Sequence, residues 1–207
     1  MKDEIVVIDY GMGNLHSVKS AFEFVGSRVV ITGNPDDIGQ TKSLVLPGVG
    51  SFRKAMIRIR EHGIDLAIKS ALNSGSKLLG ICLGFQLCGN SSSEDGYTEG
   101  LGLIDSEVEI FRNLSINEPM KIPHVGFNEV SFDSESKLFK GIQNSSDFYF
   151  NHSYRMLSLP GEARKATCNY GDAFVAAFEY GNIFGTQFHP EKSQTNGLRL
   201  LANFMKV

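Results

Sequence analysis

The sequence predicts an α/β fold: a mostly parallel central sheet with helices on both faces, plus additional antiparallel strands in the C-terminal half. Three observations predict it. As far as Ile81, short apolar runs alternate with segments of helical period, the order that parallel strands and right-handed helical crossovers produce. Beyond Glu107, short strand-like runs follow one another with turn signals between them. No linker, repeat or low-complexity stretch divides the 207 residues, so one domain over 1–207 is expected.

The elements follow in order. Glu4–Asp9 reads as a buried strand. From about Ser17 to Gly26, Val18, Ala21, Phe22 and Val25 repeat at helical spacing and a glycine closes the run. Arg28–Thr32 is a second strand, and Ser43–Leu46 a third that Pro47-Gly48 stops. Phe52–Ala71 is helical with a break near Gly63, and Lys77–Ile81 is a fourth strand. In the second half the strand candidates are Glu107–Phe111, Glu129–Phe132, Phe148–Phe150, Arg164–Asn169, Phe174–Glu179 and Ile183–Phe188. Tyr170-Gly-Asp172 and Tyr180-Gly-Asn182 supply turns. Gln194–Phe204 closes the chain as a helix, apolar at Leu198, Leu201, Ala202 and, just past its end, Met205.

Composition narrows the function classes. With 42% hydrophobic and 21% charged residues and a net charge of −3, nothing argues for nucleic acid or an anionic membrane. The apolar run Ile5–Ile8 is too short for a signal peptide, and no stretch reaches the ~18 residues of a membrane span. Three cysteines, an odd and sparse number, fit a reducing compartment and a cytoplasmic location, and raise the question of a catalytic thiol.

The run Leu78-Leu-Gly-Ile-Cys-Leu-Gly-Phe-Gln-Leu87 carries the strongest local signal. An apolar strand enters Gly80-Ile-Cys82-Leu-Gly84, and a helical pattern leaves it. This is the nucleophile-elbow form with cysteine in the serine position. Side chains two residues either side of so tight a turn would clash, hence the glycines. The turn lifts the thiol to the carboxyl end of the sheet, where doubly wound folds bind ligands, and aims a helix N-terminus at the sulfur, which favours thiolate. A strand-end cysteine is ordinarily a small buried hydrophobe, and Cys88 and Cys168 are read as such.

A thiol nucleophile needs a base that titrates near neutrality. Of five histidines, His62 precedes Gly63 at a helix end and reads as solvated; His16 is ambiguous. His189 ends the strand Ile183–Phe188 and is followed by Pro190-Glu191. Proline favours an extended residue before it, and an extended His-Pro-Glu run would place His189 and Glu191 on one side. Glu191 could then fix the ring tautomer and leave the other nitrogen for the thiol. The alternative, a strand-end histidine near a surface glutamate, loses weight beside a cysteine elbow.

Attack on an amide carbonyl creates an oxyanion that needs aimed N–H donors. One comes from the residue after the nucleophile, Leu83; a second comes from another loop. Leu46-Pro-Gly-Val-Gly50 follows the third strand, so Val49 and Gly50 are candidate donors. A plain strand-to-helix turn also takes Pro and Gly, and the residues alone do not separate the two.

These motifs resemble class I (triad) glutamine amidotransferases: Leu46-Pro-Gly-Val-Gly-Ser-Phe52, Gly80-Ile-Cys-Leu-Gly-Phe-Gln86 and Gly185-Thr-Gln-Phe-His-Pro-Glu-Lys-Ser193. Ile8-Asp-Tyr-Gly-Met-Gly-Asn14, Pro123-His-Val-Gly-Phe-Asn128, Phe148-Tyr-Phe-Asn-His-Ser-Tyr154 and Lys192-Ser-Gln-Thr-Asn-Gly197 are most similar to the glutaminase subunits of imidazole glycerol phosphate synthases or close paralogues. The resemblance covers the whole chain and implies a flavodoxin-like sheet. It implies that Cys82 attacks the glutamine side-chain amide, His189 protonates the departing ammonia and Glu191 orients His189, with no metal and no cofactor. By the same resemblance Gly48, Gln86, Glu94, Ser153 and Tyr154 hold the substrate, Val49's peptide is linked to activation, and Asn14, Phe127, Tyr149 and Lys192 lie at a partner surface. The partner implied is a (βα)8-barrel cyclase (synthase) subunit that takes the ammonia to form imidazole glycerol phosphate in histidine biosynthesis.

The sequence departs from the family pattern at Val125 and Phe127, where Met and Trp are common, and at Asn151, where Val is common. These lie on the implied partner side and leave the acceptor open between the cyclase and a sugar amidotransferase of surface-polysaccharide biosynthesis. Two other classes compete. A stand-alone Cys-His-Glu hydrolase or peptidase predicts activity without a partner. A non-catalytic binding module gives no reason for the elbow and His-Pro-Glu together. A dinucleotide site is weak, since Gly11-Met-Gly13-Asn-Leu-His16 lacks the third glycine of that fingerprint.

Overall fold

The computed structural model describes residues 4–111, 121–156 and 158–207. In chain order the first half holds β1 (Glu4–Ile8), α1 (Leu15–Phe24), β2 (Arg28–Thr32), α2 (Pro35–Gln40), β3 (Ser43–Gly48), α3 (Phe52–Glu61), α4 (Ile64–Asn73), β4 (Lys77–Cys82) and α5 (Leu83–Leu87). The second holds β5 (Ser91–Ser92), β6 (Thr98–Glu99), β7 (Glu107–Ile110), β8 (His124–Phe132), β9 (Ser146–His152), β10 (Tyr154–Met156), β11 (Arg164–Tyr170), β12 (Asp172–Tyr180), β13 (Ile183–Thr186), a 3₁₀ turn at Pro190–Lys192, and α6 (Gln194–Phe204).

The main sheet has the order β2-β1-β3-β4-β13-β12-β11-β8-β9. From β2 to β13 the pairs are parallel; from β13 to β9 they are antiparallel. This is the mixed sheet the sequence predicts. Period-two alternation sends Val6, Ile8, Leu44 and Leu46 to one face, where Ile59 of α3 and Ile68 of α4 cover them. Ile5, Val7, Val45 and Leu79 go to the other face, under Phe22 of α1 and Leu201 and Phe204 of α6. A strand buried on both faces reads as one apolar run, which is why β1 and β3 were legible. Fully burying each such Leu, Ile or Phe contributes about 1.5–3 kcal/mol.

Local chemistry sets several boundaries. The Asn14 side chain accepts from Ser17 N at 3.3 Å and starts α1 two residues earlier than expected. Gly63, at φ 67°, ends α3 and opens α4, the break expected in Phe52–Ala71. α2 went unread because it spans six residues and buries only Ile38, too little for a period to register. A second sheet, β10-β7-β5-β6, was likewise missed, since three of its strands are two or three residues long.

Candidate active site

β4 and β13 are parallel neighbours, in register from Leu78 opposite Ile183 to Ile81 opposite Thr186. Both strands run the same way, so Cys82 and the stretch 187–189 leave the sheet at one edge. Cys82 itself has φ 54° and ψ −107°, a strained backbone that costs about 1–3 kcal/mol for a residue with a side chain. The flanking glycines serve close approach. A Cβ on Gly80 would meet the Gly84 carbonyl carbon at 2.8 Å and Phe85 Cα at 2.9 Å, and one on Gly84 would overlap the Leu46 carbonyl oxygen. α5, expected to aim its N-terminus at the sulfur, is a short helix of five residues.

His189 and Glu191 meet, though not by the extended route expected. Pro190–Lys192 is a 3₁₀ turn closed by Lys192 N–H donating to the His189 carbonyl at 3.0 Å. Proline's fixed φ suits the first position of such a turn, and only His189 is extended. His189 Nδ1 lies 2.8 Å from Glu191 Oε1, with both side chains buried. Burial disfavours the imidazolium, but hydrogen bonds to Cys82 and Glu191, and the charges of both, outweigh it and raise the ring's pKa well above its ordinary value. The imidazole thus stands between a thiol whose influence raises its pKa and a carboxylate hydrogen-bonded to its Nδ1.

A cavity of about 420 Å³ opens over the sulfur. Of the residues singled out in the sequence, Val49, Gly50, Leu83, Gln86, Glu94, Ser153 and Tyr154 line it with Cys82. Gly48 does not. It is buried opposite Cys82 in the β3–β4 register, and the Tyr10 hydroxyl fills the place a Cβ would need. Gln86 Nε2 donates to the Tyr154 carbonyl and to Gln187 Oε1, each at 2.9 Å. Glu94 Oε2 accepts from Phe52 N at 2.7 Å at the start of α3. Burial, offset in part by that bond and reinforced by Asp95, raises the Glu94 pKa. A larger hollow of about 680 Å³ lies at the opposite end of the strands, among Lys42, Ser76 and Asn182, and among the described residues no cysteine or histidine lines it.

The residues expected at a partner surface cluster beside this edge. Phe127 is 49% exposed and meets Tyr149 edge-on at 5.6 Å between ring centres. Lys192 Nζ sits 5.5 Å over the Tyr149 ring, and α1, which Asn14 caps, packs against the Pro190–Lys192 turn.

The profile described as "Glutamine amidotransferase class-I" matches residues 6–207. The chain belongs to the class-I glutamine amidotransferases. Among its relatives are the imidazole glycerol phosphate synthase subunit HisH 1 of Campylobacter jejuni (strain RM1221), 46% identical over 98% of this chain and 100% of that one, and subunit HisH of Moorella thermoacetica, 42% identical over 97% and 93%. Solved structures agree on the fold. PurLQS of Thermotoga maritima superimposes with a TM-score of 0.73 at 20% identity, over 100% of this chain and 99% of that one. A crystal structure of a glutamine amidotransferase gives 0.75 at 19%, over 98% and 99%.

Two features of this amidotransferase site escaped the sequence reading. Gln187, fully buried, directs Nε2 toward Cys82 Sγ at 3.9 Å; its place two residues before His189 in the same strand-end run was the available signal. His152 lines the cavity and pairs with His124 at 3.0 Å, although nothing marked either ring apart from the motifs that contain them.

Proposed function

We infer that this chain is the glutaminase subunit of an imidazole glycerol phosphate synthase, hydrolysing glutamine to glutamate and passing ammonia to a cyclase subunit in histidine biosynthesis. The observation that carries the glutaminase part is the line Cys82–His189–Glu191 beneath one cavity. The named relatives, matched over nearly their whole length, favour the synthase over the sugar-amidination reading that Val125, Phe127 and Asn151 left open.

The geometry supports these roles. The Cys82 sulfur attacks the side-chain amide carbon of glutamine while its proton resides on His189. The negative oxygen that forms is met by N–H groups of Leu83, the first residue of α5, and of Val49 or Gly50 across the cavity. His189 then gives its proton to the departing nitrogen, ammonia leaves, and a glutamyl thioester remains on Cys82. Water, deprotonated by His189, releases glutamate and restores the thiol. Glu191 accepts from Nδ1, fixes the ring and stabilises its cationic form. Gln86 spends its amide hydrogens on Tyr154 and Gln187, leaving Oε1 as its acceptor for the substrate ammonium. Glu94 and the backbone of Ser153 and Tyr154 complete that pocket, with Gly48 acting by shaping the loop. Asn14, Phe127, Tyr149 and Lys192 form the face that meets the cyclase. The reading also takes residues 1–207 as one amidotransferase domain in the cytoplasm, supported by the profile match over 6–207 and by cysteines that are all unpaired. Among the described residues no helix is long and apolar enough to cross a membrane.

The test is Cys82→Ala in the complex with the cyclase subunit. Synthesis from glutamine is expected to vanish while synthesis from added ammonium salt persists; loss of both in a folded complex sinks the assignment. Glutamine turnover by the chain alone is expected to be very slow, and rapid turnover would favour a stand-alone hydrolase.

A further inference from the structure

His124 opens β8, His152 ends β9, and the two residues are partners across that antiparallel pair. Both are buried, at 2% and 5% exposure. His152 Nδ1 lies 2.8 Å from the Tyr154 carbonyl. A carbonyl only accepts, so His152 carries its hydrogen on Nδ1 and a lone pair on Nε2. The 3.0 Å contact between His152 Nε2 and His124 Nδ1 therefore has His124 as donor. That assignment leaves His124 Nε2 as acceptor, 3.4 Å from Asn128 Nδ2. Every link from Asn128 to Tyr154 runs one way. A proton added to either ring would set two N–H groups head to head, and burial lowers both pKa values. Aromatic neighbours clamp the rings: His124 is stacked on Phe150 and Tyr170, with centres 4.7 and 4.0 Å away.

The far end of this chain is the substrate pocket. The carbonyl that His152 holds is the one to which Gln86 donates, and Gln86 also donates to Gln187. Flipping the Gln86 amide would press its oxygen against two acceptors. With the Tyr154 carbonyl fixed, Gln86 is therefore held with its oxygen available to a ligand. We propose that His124 and His152 are positioning residues for the glutaminase reaction, a tautomer-locked neutral pair that sets the Tyr154 carbonyl and, through it, the orientation of the Gln86 amide. The role rests on the glutaminase reading above.

Two measurements test it, both on the chain in complex with its cyclase subunit. Histidine ¹⁵N spectra of the wild-type protein are expected to place the hydrogen of both rings on Nδ1, the rarer tautomer of free imidazole side chains; an Nε2-protonated form of either ring overturns the proposal without any variant having to fold. In steady-state kinetics His152→Phe is expected to raise the KM for glutamine about tenfold or more while kcat changes less than about threefold. His152→Asn, whose amide can still donate to the Tyr154 carbonyl, is expected to bring KM back to within about threefold of wild type. An unchanged KM in His152→Phe, or equal damage by both variants, overturns the positioning role while leaving the glutaminase reading intact. A wild-type complex without glutaminase activity overturns that reading and this role together.

Discussion

His189 Nδ1 and Glu191 Oε1 stand 2.8 Å apart although the chain between them turns rather than running straight. The 3₁₀ turn carries the carboxylate back beneath the ring, where burial strengthens the bond. The contact leaves Glu191 Oε2 buried without a partner among the described residues, so the carboxylate is directed at the ring alone.

Glu191→Gln is accordingly expected to keep the fold and glutamine binding but lower glutaminase kcat by on the order of 10²–10⁴-fold, because an amide can present its N–H to Nδ1 and select the wrong tautomer. Glutamate release under saturating glutamine measures it. A kcat within a few-fold of wild type would remove Glu191 from the mechanism.

Gly84 and Gly39 give opposite expectations for one added methyl group. At Gly84 it would run into the Leu46 carbonyl, so Gly84→Ala is expected to lose about 3 kcal/mol or more, with the elbow displaced. Gly39 lies in α2 with nothing within 4 Å of its notional Cβ, so Gly39→Ala is expected to gain about 0.5–1 kcal/mol from helix propensity. Urea unfolding midpoints of the two variants decide it; similar midpoints would mean that close approach does not fix the elbow.

Stability is expected to fall in mild acid because of the buried histidine pair. Burial takes His124 down to about 4 and His152 to about 3, against about 6.5 in the unfolded chain. Folded pKa values that are depressed give stability present above about pH 6.5 and lost as pH drops toward 4 and 3, since the unfolded chain then binds protons the folded one refuses. Each ring contributes a slope of up to about 1.4 kcal/mol per pH unit. His189 does not mask this. Its folded pKa is raised, so its contribution is complete below about pH 6.5 and fades only toward alkaline pH. Unfolding free energies at pH 7.5, 6 and 5 should show the loss, and His152→Phe should flatten it; parallel slopes for wild type and variant would refute the account.

Phe127→Asp is expected to weaken association with the cyclase subunit at least about tenfold, since an exposed aromatic beside Tyr149 and Lys192 has the character of an interface anchor. Calorimetric titration of the two subunits reads the affinity. The melting temperature of the lone chain should hardly move, because the ring is half exposed. Undiminished affinity would take Phe127 out of the interface.

Where the chemistry lay in adjacent residues or in strong periodicity, the sequence was readable. Gly80, Cys82 and Gly84 announced the turn because only a crowded backbone excludes Cβ atoms on both sides. The apolar runs of β3 and β4 announced buried strands because a parallel sheet is covered on both faces. Short elements stayed hidden: β5, β6 and β10 have two or three residues each, too few for a period. The His-Pro-Glu contact was expected for a reason the structure replaces, because proline's fixed φ fits a tight turn as well as an extended run.

By itself, then, the sequence determined the alternation that builds the sheet, the strained cysteine elbow and the identity of a histidine and a carboxylate close enough in the chain to meet. Those properties depend on neighbours in sequence, through sterics and short tethers. Only the tertiary structure decided that β13 lies beside β4, placing His189 against Cys82 across more than a hundred intervening residues. It also decided that His152 lines the pocket, with His124 paired to it from behind and Gln187 directed at Cys82, and that Gly48 does not line it. Strand order and ring tautomers are set by which surfaces bury one another and which donors find acceptors, and neither is written in any local run of residues.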